Sequence, residues 1–318
     1  MSDANPFMAT TRNDKTSSLM QRQRVWGWLF LSPWIIGFIA FMLLPIVTSL
    51  YFSFTDFNLT SDEPMEFVGF ANYERMLFED PIVGISLEAT FKFAIIALPL
   101  AVILPILLAA LLNSEYLIGK PFFRTLFYMP YIVPIVSAVY IWGGVLNTDS
   151  GWINRMLESV GIQGPDWLFN EAWIYPALNV IGLWGIGNAM LITLASMQGV
   201  PTELYEAAKV DGANPITRFR KITLPLISPV IFYNLIISMI GIFRYFEVPF
   251  ILKEGTGDPG NTTMFINIHL YKEAFSFQDM GYGSTLAWLI FAIAMAFTLL
   301  IFASARYWVY YAAGDDRS

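Results

Sequence analysis

Long stretches without a charged residue alternate with shorter polar stretches along the chain. Six of the uncharged stretches are also rich in apolar side chains, and they lie at 25–55, 93–114, 125–148, 172–202, 222–243 and 280–305. A helix of about 20 apolar residues crosses the hydrocarbon core of a bilayer, so each stretch is long enough to do so. The pattern therefore predicts an all-α polytopic membrane protein with six transmembrane helices.

The first 24 residues differ from the stretch that follows them. They are polar, and their basic residues are Arg12, Lys15, Arg22 and Arg24. A secretory signal peptide also begins with a basic segment, but its apolar core is only about 7–15 residues long and a small-residue cleavage site follows it. No such site is evident, which favours a retained first helix. The expected organisation is a flexible tail at 1–24, a transmembrane domain at 25–311 and a second tail at 312–318.

Several of the predicted helices contain prolines. They include Pro45, Pro99, Pro105, Pro130, Pro134 and Pro176. Proline removes one helix hydrogen bond, and inside a membrane bundle neighbouring groups must satisfy the carbonyl that is freed. Two interpretations fit equally well: ordinary kinks, or bent helices arranged around a cavity.

The composition supports a membrane protein and excludes several chemistries. Hydrophobic residues make up 56% of the 318 residues and charged residues 14%, whereas a soluble domain has about 25% charged residues. The chain has no cysteine and a single histidine, His269, which excludes disulfides and a histidine metal cluster. The sequence contains no G-x-x-x-x-G-K-[ST] phosphate loop, no H-E-x-x-H and no G-x-S-x-G. We therefore expect no catalytic residue, no metal site and no enzyme activity.

Lysine and arginine are distributed unevenly between two sets of polar segments. Twelve of the 18 lie in 1–24, 115–124, 203–221 and 306–318, while five lie in 56–92, 149–171 and 253–279. Cytoplasmic loops of membrane proteins are enriched in these residues. The bias predicts that the first set, with both termini, is cytoplasmic and that the second set is external.

Two of the external segments contain short helical patterns. In FVGFANYERML, Phe70, Tyr73 and Leu77 form an apolar stripe, and a second stripe in 149–171 begins at Ile153. Short amphipathic helices of this kind lie at the membrane surface or receive a soluble partner. The sequence leaves both possibilities open.

A polar insert, PTELYEAAKVDG and the residues after it, separates the fourth uncharged stretch from the fifth. Thr202 is predicted to cap a short helix, with Glu203 in its first turn. Asp211 and Gly212 supply a stop, since glycine adopts a positive φ without steric cost. A helix this short is marginal in water by itself, so we expect it to dock onto another protein.

Two charged residues lie near the outer end of the fifth stretch. Arg244 and Glu247 are three positions apart, and an unpaired charge at the bilayer centre costs roughly 2.5–3.5 kcal/mol on insertion scales. We expect both to face protein, water or each other. One interpretation is a structural ion pair. The other is a polar lining of a substrate path, in which aromatic neighbours such as Tyr245 would stack on a sugar.

The polar insert carries a motif with fixed spacing. Its residues are Glu206, Ala207, Ala208, Gly212, Ile222, Leu224 and Pro225. Six positions separate the glutamate from the glycine, and ten separate the glycine from the isoleucine. This pattern resembles the cytoplasmic signature of binding-protein-dependent ABC transporter inner-membrane permeases.

The resemblance covers roughly residues 25–311 and extends to the sugar-transporter branch, which contains maltose-type and glycerol-3-phosphate-type permeases. FVGFANYERML, FRTLFYMPYIVPIVSAVYIW and the G-x-I-N from Gly151 to Asn154 are similar to that branch. Two details depart from it. Phe246-Glu247 stands where the branch often has Phe-Asp, and Gly257-Asp258-Pro259 stands where it usually has Gly-Gly-Pro.

The resemblance implies an ABC type I importer permease fold in the inner membrane and the translocation of a carbohydrate or related polar solute by alternating access. A coupling helix at 203–213, inside a coupling loop at 201–225, would sit in a cleft of a cytoplasmic ATPase dimer. That dimer would bind ATP and Mg²⁺, and this chain would need no cofactor. The implied ATPase-coupling residues are Glu206, Ala207, Ala208, Asp211, Gly212, Ile222, Leu224 and Pro225.

The same resemblance implies partners and a substrate path. The partners are a second permease subunit, the ATPase dimer, an extracytoplasmic solute-binding protein and membrane lipid, with no nucleic acid. In maltose-type relatives the sugar lies mid-membrane between the fourth and fifth helices. The implied substrate path here contains Gly185, Asn188, Ser238, Gly241, Arg244, Tyr245 and Glu247.

The alternative is a secondary transporter or channel that is not coupled to an ATPase. Such proteins usually work through membrane-embedded acids or ion sites at broken helices, and Glu247 is the embedded acid that the sequence offers. A membrane scaffold that transports nothing would leave the docking insert unexplained.

Overall fold

Fifteen α-helices build the part of the chain that the computed structural model describes, which is the backbone of residues 7–310 and the side chains of residues 23–310. They are α1 (Phe7–Phe38), α2 (Leu44–Phe52), α3 (Ala71–Glu74), α4 (Pro81–Asn113), α5 (Lys120–Tyr128), α6 (Ile135–Val145), α7 (Trp152–Ser159), α8 (Glu171–Trp184), α9 (Gly187–Gln198), α10 (Thr202–Val210), α11 (Pro215–Arg218), α12 (Leu224–Phe243), α13 (Glu247–Lys253), α14 (Ile266–Tyr271) and α15 (Met280–Trp308). Shorter pieces extend some of them: π-helical segments at Ile39–Leu43, Arg75–Glu79, Phe219–Thr223 and Lys272–Ser276, and a 3₁₀ turn at Met129–Ile132. Between residues 7 and 310 there are two isolated β-bridges and no strand, which confirms the all-α prediction.

Four continuous helical stretches in the described range are long and apolar enough to cross a membrane: Gln23–Phe52, Pro81–Asn113, Pro215–Lys253 and Met280–Trp308. Two further candidates are bent pairs of helices. Lys120–Ile132 meets Ile135–Val145 at 104°, and α8 meets α9 at 56°. The described chain therefore has four candidate spans, or six when each bent pair counts as one, and each predicted stretch has a counterpart among them.

Two helices begin earlier than predicted. α4 begins at Pro81 rather than at 93. The prediction missed its first turns because Glu88 and Lys92 are charged; within the helix they form an exposed i,i+4 ion pair with 2.6 Å between Oε1 and Nζ. Such a pair is compatible with a helix but ends an uncharged stretch. α1 begins at Phe7, so helix includes most of the segment predicted as a flexible tail. Residues 1–6 and the second tail at 312–318 lie outside the described residues.

The two bends have different local causes. Pro134 immediately precedes α6, and Val133 before it is extended (φ −70°, ψ 128°), as steric contact with a proline ring requires. The bend between α8 and α9 contains no proline and falls at Gly185 and Ile186. Three of the predicted breakers lie inside continuous helices instead: Pro99, Pro105 and Pro176.

The two bent pairs meet at Gly187, the first residue of α9. A Cβ atom on this residue would lie 2.3 Å from the carbonyl oxygen of Phe127 and 2.7 Å from the Cα atom of Tyr128. These distances are far shorter than the usual 3.5–4.0 Å or so between atoms in contact, so the approach requires glycine. α9 is thereby packed directly on the end of α5.

α4, α9 and α12 share an apolar core. Its buried members include Ala109 of α4, Met190 of α9 and Ile227 of α12, all fully inaccessible. One polar contact crosses this packing: the side-chain amide of Asn234 on α12 donates to Oγ1 of Thr193 on α9 over 3.1 Å. The bond is buried, so breaking it would leave polar groups without partners. We infer that α9 and α12 move together.

The polar loops gather in two groups. In one group, Lys209 of α10 lies 3.8 Å from the carboxylate of Glu115, between α4 and α5. In the other, the backbone nitrogen of Gly281 donates to the carbonyl of Phe57 over 2.9 Å. Both contacts join segments that the charge count places on the same side of the membrane.

Asn154 of α7 holds the connection between α6 and α8 together. The residue is 3% exposed, and its amide group donates to the carbonyls of Thr148 and Pro165 over 2.9 and 3.1 Å. It also accepts a hydrogen bond from Nε1 of Trp167 over 2.7 Å. One side chain therefore satisfies three groups of the loop.

We expect Asn154→Ala to lower the free energy of unfolding by on the order of 2–4 kcal/mol, because three partners lose their hydrogen bonds. Thermal unfolding in detergent, followed by tryptophan fluorescence, measures the change. Glu158→Ala, at an exposed position of the same helix, is the control and should leave the melting temperature unchanged. Equal melting temperatures for the Asn154 variant and the wild type would contradict this role.

Candidate functional site

A cavity of about 250 Å³ lies beside the bend between α8 and α9. Its walls come mainly from α4, α8, α9 and α12, and its lining residues are Phe93, Ala97, Ala101, Leu178, Asn179, Gly182, Leu183, Ile186, Ala189, Ser238, Gly241, Ile242 and Tyr245. None of these side chains is charged. A wall of this composition holds a ligand through apolar contacts and a few hydrogen bonds.

Aromatic rings form one wall of the cavity. The ring of Tyr245, just after the end of α12, stacks on Phe93 of α4 with 4.5 Å between centroids and 15° between planes. Phe265 packs edge-on against both rings. The Tyr245 hydroxyl is buried and has no hydrogen-bond partner among the described residues. Since an unpaired buried hydroxyl is unfavourable, a hydroxyl of a ligand would be a suitable partner.

Two more groups in the wall can accept hydrogen bonds. Nδ2 of Asn179 donates to the carbonyl of Tyr175 over 2.8 Å, which leaves the amide oxygen as an acceptor. Ala101 lies four residues before Pro105 in α4. Proline has no N–H, so the Ala101 carbonyl receives no helix hydrogen bond from that position. Acceptors beside stacked rings suit an uncharged ligand that is rich in hydroxyl groups.

The cavity contains three of the residues predicted for the substrate path, Ser238, Gly241 and Tyr245. Gly185 and Asn188 lie at the bend, each next to a lining residue, but they are not in the wall. The structure therefore brings part of the predicted set together. The assignment of these residues to substrate contact stays a prediction.

Arg244 and Glu247 lie where α12 gives way to α13. Arg244 follows the last residue of α12, Glu247 begins α13, and both are exposed. Neither forms an ion pair within 4.0 Å with any residue of the range 23–310. The two do not pair with each other, and they lie outside the cavity wall. Their place in the substrate path also stays a prediction.

Ten of the thirteen lining residues were not among the predicted ones, and Phe93 and Asn179 are two of these. Asn179 had a signal in the sequence, since it is an amide inside the uncharged stretch 172–202. Phe93 had none, because the chain contains 27 phenylalanines and their number hides the one that stacks on Tyr245.

The polar insert forms α10, and its end has the expected geometry. Gly212 has φ +79°, a conformation that favours glycine. The backbone nitrogen of Ala213 donates to the carbonyl of Ala208 over 2.9 Å, which closes the helix after Asp211. The predicted cap at the other end is wrong: Thr202 is the first helical residue, and no side chain caps this terminus.

The second half of the motif anchors α10 to the membrane helices. The hydroxyl of Tyr205 lies 2.8 Å from Oγ1 of Thr223, which is 5% exposed. Ile222 and Leu224 pack against the core between α4, α9 and α12. Pro225 is the second residue of α12, which continues directly from the π-helical segment Phe219–Thr223. α10 is therefore fixed to the start of α12.

The opposite face of α10 has no cover in the described chain. Glu206 and Ala207 are exposed, Leu204 is 44% exposed and Val210 is 89% exposed. Leu204, Ala207 and Val210 follow one another at three-residue intervals, so they lie on one face. An apolar face with a carboxylate beside it is suited to docking on another protein.

Comparison with known proteins identifies the family. The family described as "Binding-protein-dependent transport system inner membrane component" matches residues 87–312. The "Probable ABC transporter permease protein YesP" of Bacillus subtilis (strain 168) is 35% identical over 304 residues, which are 95% of this chain and 97% of that protein. The "Lactose transport system permease protein LacF" of Rhizobium radiobacter is 32% identical over 304 residues, covering 94% of this chain and 99% of the relative.

A further relative is the "Sulfoquinovosyl glycerol transport system permease protein SmoG" of Agrobacterium fabrum (strain C58 / ATCC 33970), 34% identical over 85% of this chain and 87% of its own length. Among solved structures, a chain of a bacterial ABC transporter involved in the import of the acidic polysaccharide alginate aligns with a TM-score of 0.79. The alignment covers 92% of this chain and 98% of that chain at 23% identity, so it shows the shared fold.

The family match covers well over half of the chain, and relatives more than 30% identical align along nearly all of it. The members are transport subunits in the membrane and not enzymes. The chain therefore belongs to the inner membrane components of binding-protein-dependent transport systems and is a permease subunit of an ABC importer.

Proposed function

We propose that this permease carries a neutral carbohydrate through the cavity between α4, α8, α9 and α12. The observation that carries the proposal is the connection between this cavity and α10. α9 and α12 both supply cavity wall, and the chain runs from the end of α9 through α10 to the start of α12. The docking helix and the cavity therefore belong to one structural unit.

Energy would reach the cavity through α10. The chain contains no phosphate loop, so an ATPase on another chain has to supply the driving force. That ATPase would grip the exposed face of α10 around Glu206. Because Tyr205 bonds to Thr223 and Asn234 bonds to Thr193, a displacement of α10 would shift α12 and α9 together. The cavity would then open to alternate sides of the membrane.

The substrate class follows from the wall. A charged solute would need a charged partner to replace its hydration, and no lining side chain carries a charge. Stacked Phe93 and Tyr245 offer aromatic contact to the apolar face of a sugar ring. Two relatives, described as transporting lactose and arabinooligosaccharides, support a neutral carbohydrate.

The remaining partners and the orientation are proposed together. The candidate span Gln23–Phe52 has no buried residue in its most apolar window, which supports a second permease subunit as its cover. The segments rich in lysine and arginine, with α10 and both termini, would face the cytoplasm. The binding protein would deliver sugar to the other group of loops. A permease seen with its alginate-bound periplasmic protein supports that arrangement.

A secondary transporter or channel is disfavoured by the same observations. Such proteins usually work through membrane-embedded acids or ion sites at broken helices, and no acidic side chain lines the cavity at the break between α8 and α9. Glu247, the acid considered for that role, lies outside the cavity. In a secondary transporter or channel, the exposed face of α10 would also have no protein to bind.

We expect Gly241→Leu to reduce sugar uptake by on the order of tenfold or more, because the added side chain fills the cavity. A Cβ on Gly241 would meet no atom within 4 Å, so the fold itself has room for the change. Uptake of radiolabelled sugar in cells or vesicles is the measurement.

Gly84→Leu is the matched control for this variant. Gly84 lies in α4 outside the cavity wall and also has no atom within 4 Å of an added Cβ. It should retain uptake. Full uptake by Gly241→Leu, at normal membrane levels, would show that the sugar passes elsewhere.

We expect Glu206→Lys to leave the protein in the membrane but to lower ATP hydrolysis stimulated by the binding protein about tenfold, equal to about 1.4 kcal/mol of coupling free energy. The carboxylate lies on the uncovered side of α10, so its loss affects the partner and not the fold. ATPase activity of the purified transporter in proteoliposomes measures the change.

Glu115→Gln supplies the control, since Glu115 is near α10, its side chain is 82% exposed and its exposed 3.8 Å contact with Lys209 contributes little. Coupling should be retained in this variant. If Glu206→Lys hydrolyses ATP as the wild type does on addition of the binding protein, the docking role of α10 is wrong.

A further inference from the structure

A buried cluster of ionisable side chains lies in the group of loops opposite α10. Its members are Arg75, Asp80, His269, Glu273, Asp279 and Tyr282. They come from a π-helical segment, the cap of α4, α14, a second π-helical segment, the cap of α15 and α15 itself. His269, the single histidine of the chain, is 4% exposed, and Glu273 is 8% exposed. We call this set the histidine cluster.

Hydrogen bonds determine which nitrogen of His269 carries the proton. Nε2 lies 2.6 Å from Oδ2 of Asp80, and the Tyr282 hydroxyl donates to the same oxygen over 2.6 Å. The other oxygen of Asp80 accepts from the backbone nitrogen of Ile82 over 2.8 Å. An ionised carboxylate can only accept, so the proton is on Nε2. A neutral His269 ring then has its lone pair on Nδ1.

That lone pair faces another acceptor. Nδ1 lies 3.9 Å from Oε1 of Glu273, beyond the 2.7–3.2 Å or so of an N–H···O hydrogen bond. The second oxygen of Glu273 is paired with Arg75 over 3.2 Å, and Arg75 also binds Asp279 over 2.8 Å. The guanidinium carbon lies 3.7 Å from the centre of the Tyr282 ring. The Nδ1 to Oε1 gap is thus the unsatisfied contact of the cluster.

The charges of the histidine cluster favour the binding of one more proton. Three carboxylates, of Asp80, Glu273 and Asp279, face one guanidinium, and a neutral His269 adds no positive charge. Burial raises the pKa of Glu273 above its ordinary value, although His269 and Arg75 act against this. Burial alone would also raise the pKa of Asp80, but hydrogen bonds from Tyr282 and His269 outweigh it and place that pKa below its ordinary value.

The direction of the pH effect follows from these shifts. A carboxylate with a raised pKa in the folded protein costs stability when ionised, and the cost disappears as the pH falls through that raised value. Asp80 stays ionised over the same range, because its pKa is lowered. Mild acid therefore adds a proton at Glu273 while Asp80 keeps its bonds.

We propose that the histidine cluster is an acid-tightened latch, in which one proton held between Nδ1 of His269 and Oε1 of Glu273 closes the gap between them. The latch joins the loop before α4 to α14 and α15. The same junction is held by backbone bonds from Leu59 to Gln278 and from Gly281 to Phe57. His269 and Glu273 lie four positions apart on one helical stretch, so the proton acts on the junction indirectly. It neutralises the buried Glu273 carboxylate and lets it donate to Nδ1, a gain that opening the junction would lose. This face of the permease therefore becomes more rigid in mild acid.

Amide hydrogen exchange of the assembled transporter tests the latch. Exchange is followed in peptides covering 53–60 and 276–284 at about pH 8 and about pH 5.5, with exposure times scaled for the intrinsic pH dependence of exchange. We expect these peptides in the wild type to exchange about threefold more slowly at the lower pH. Peptides of α10 should show no such change.

Two variants should remove the pH dependence in opposite directions. Glu273→Gln can donate its amide to Nδ1 at any pH and should be protected at both. His269→Gln keeps a donor for Asp80 but has no ring nitrogen opposite Oε1 of Glu273, so its peptides should exchange quickly at both. Glu88→Gln, at an exposed ion pair, should behave as the wild type.

Three results would overturn the proposal. The first is an equal slowing in His269→Gln. The second is faster exchange at the lower pH in the wild type. The third is protection of the wild type by zinc ions at about pH 8 without protection by acid, which would assign the cluster to a metal. If His269→Gln does not assemble, the wild type and Glu273→Gln decide between these outcomes.

Discussion

A bilayer offers no hydrogen bonds to a broken helix, and this constraint governs the architecture of the permease. Non-helical backbone is tolerated at membrane depth only where protein or water satisfies it. The chain breaks two of its candidate spans, at Val133–Pro134 and at Gly185–Ile186, and it presses the segments against each other where Gly187 meets Phe127. Gly187, beside the second bend, is buried by this contact, whereas Pro134 at the first bend is exposed. The cavity lies beside the second bend, so it depends on this contact.

Near the start of α12, another carbonyl that a proline leaves without a helix hydrogen bond is satisfied within the protein. Pro229 lies inside α12 and has no N–H for the carbonyl of Pro225, four residues earlier. The hydroxyl of Ser228 donates to that carbonyl instead, over 2.6 Å, and accepts from the backbone nitrogen of Tyr310 over 2.8 Å. Ser228 is 4% exposed. The helix therefore stays continuous at the point where it receives the coupling segment.

Local patterns in the sequence predicted most of the helices and the form of the coupling segment. Uncharged stretches located the spans, and Gly212 was assigned a positive φ that the structure confirms. The search for uncharged stretches missed the first turns of α4. Glu88 and Lys92 end the uncharged stretch there, yet their ion pair is compatible with a helix. Prolines indicated kinks or bends at positions such as Pro176, which lies inside the continuous α8, but one bend formed at Gly185, next to the close contact of Gly187 with Phe127. A single sequence does not contain that information.

The site residues also divide into those that a local pattern predicts and those that only the folded chain brings together. Ser238, Gly241 and Tyr245 were located by their distance from a motif, whereas Phe93 reaches Tyr245 across more than 150 positions of chain. The histidine cluster is more extreme, since Asp80 and His269 are 189 positions apart. His269 stood out in the sequence as the single histidine, yet its neighbours come from separate segments. Only the folded chain reveals the carboxylates on either side of it.

The length of α12 has a mechanical consequence. Leu224, at the coupling segment, and Gly241, in the cavity wall, belong to the same helix, and at a rise of 1.5 Å per residue they are about 25 Å apart along its axis. A rigid tilt of about 10° about one end would move the other by about 4 Å. In the proposed coupling α12 would act as a lever arm, and a small rotation in the ATPase would shift the cavity wall by more than the width of a water molecule.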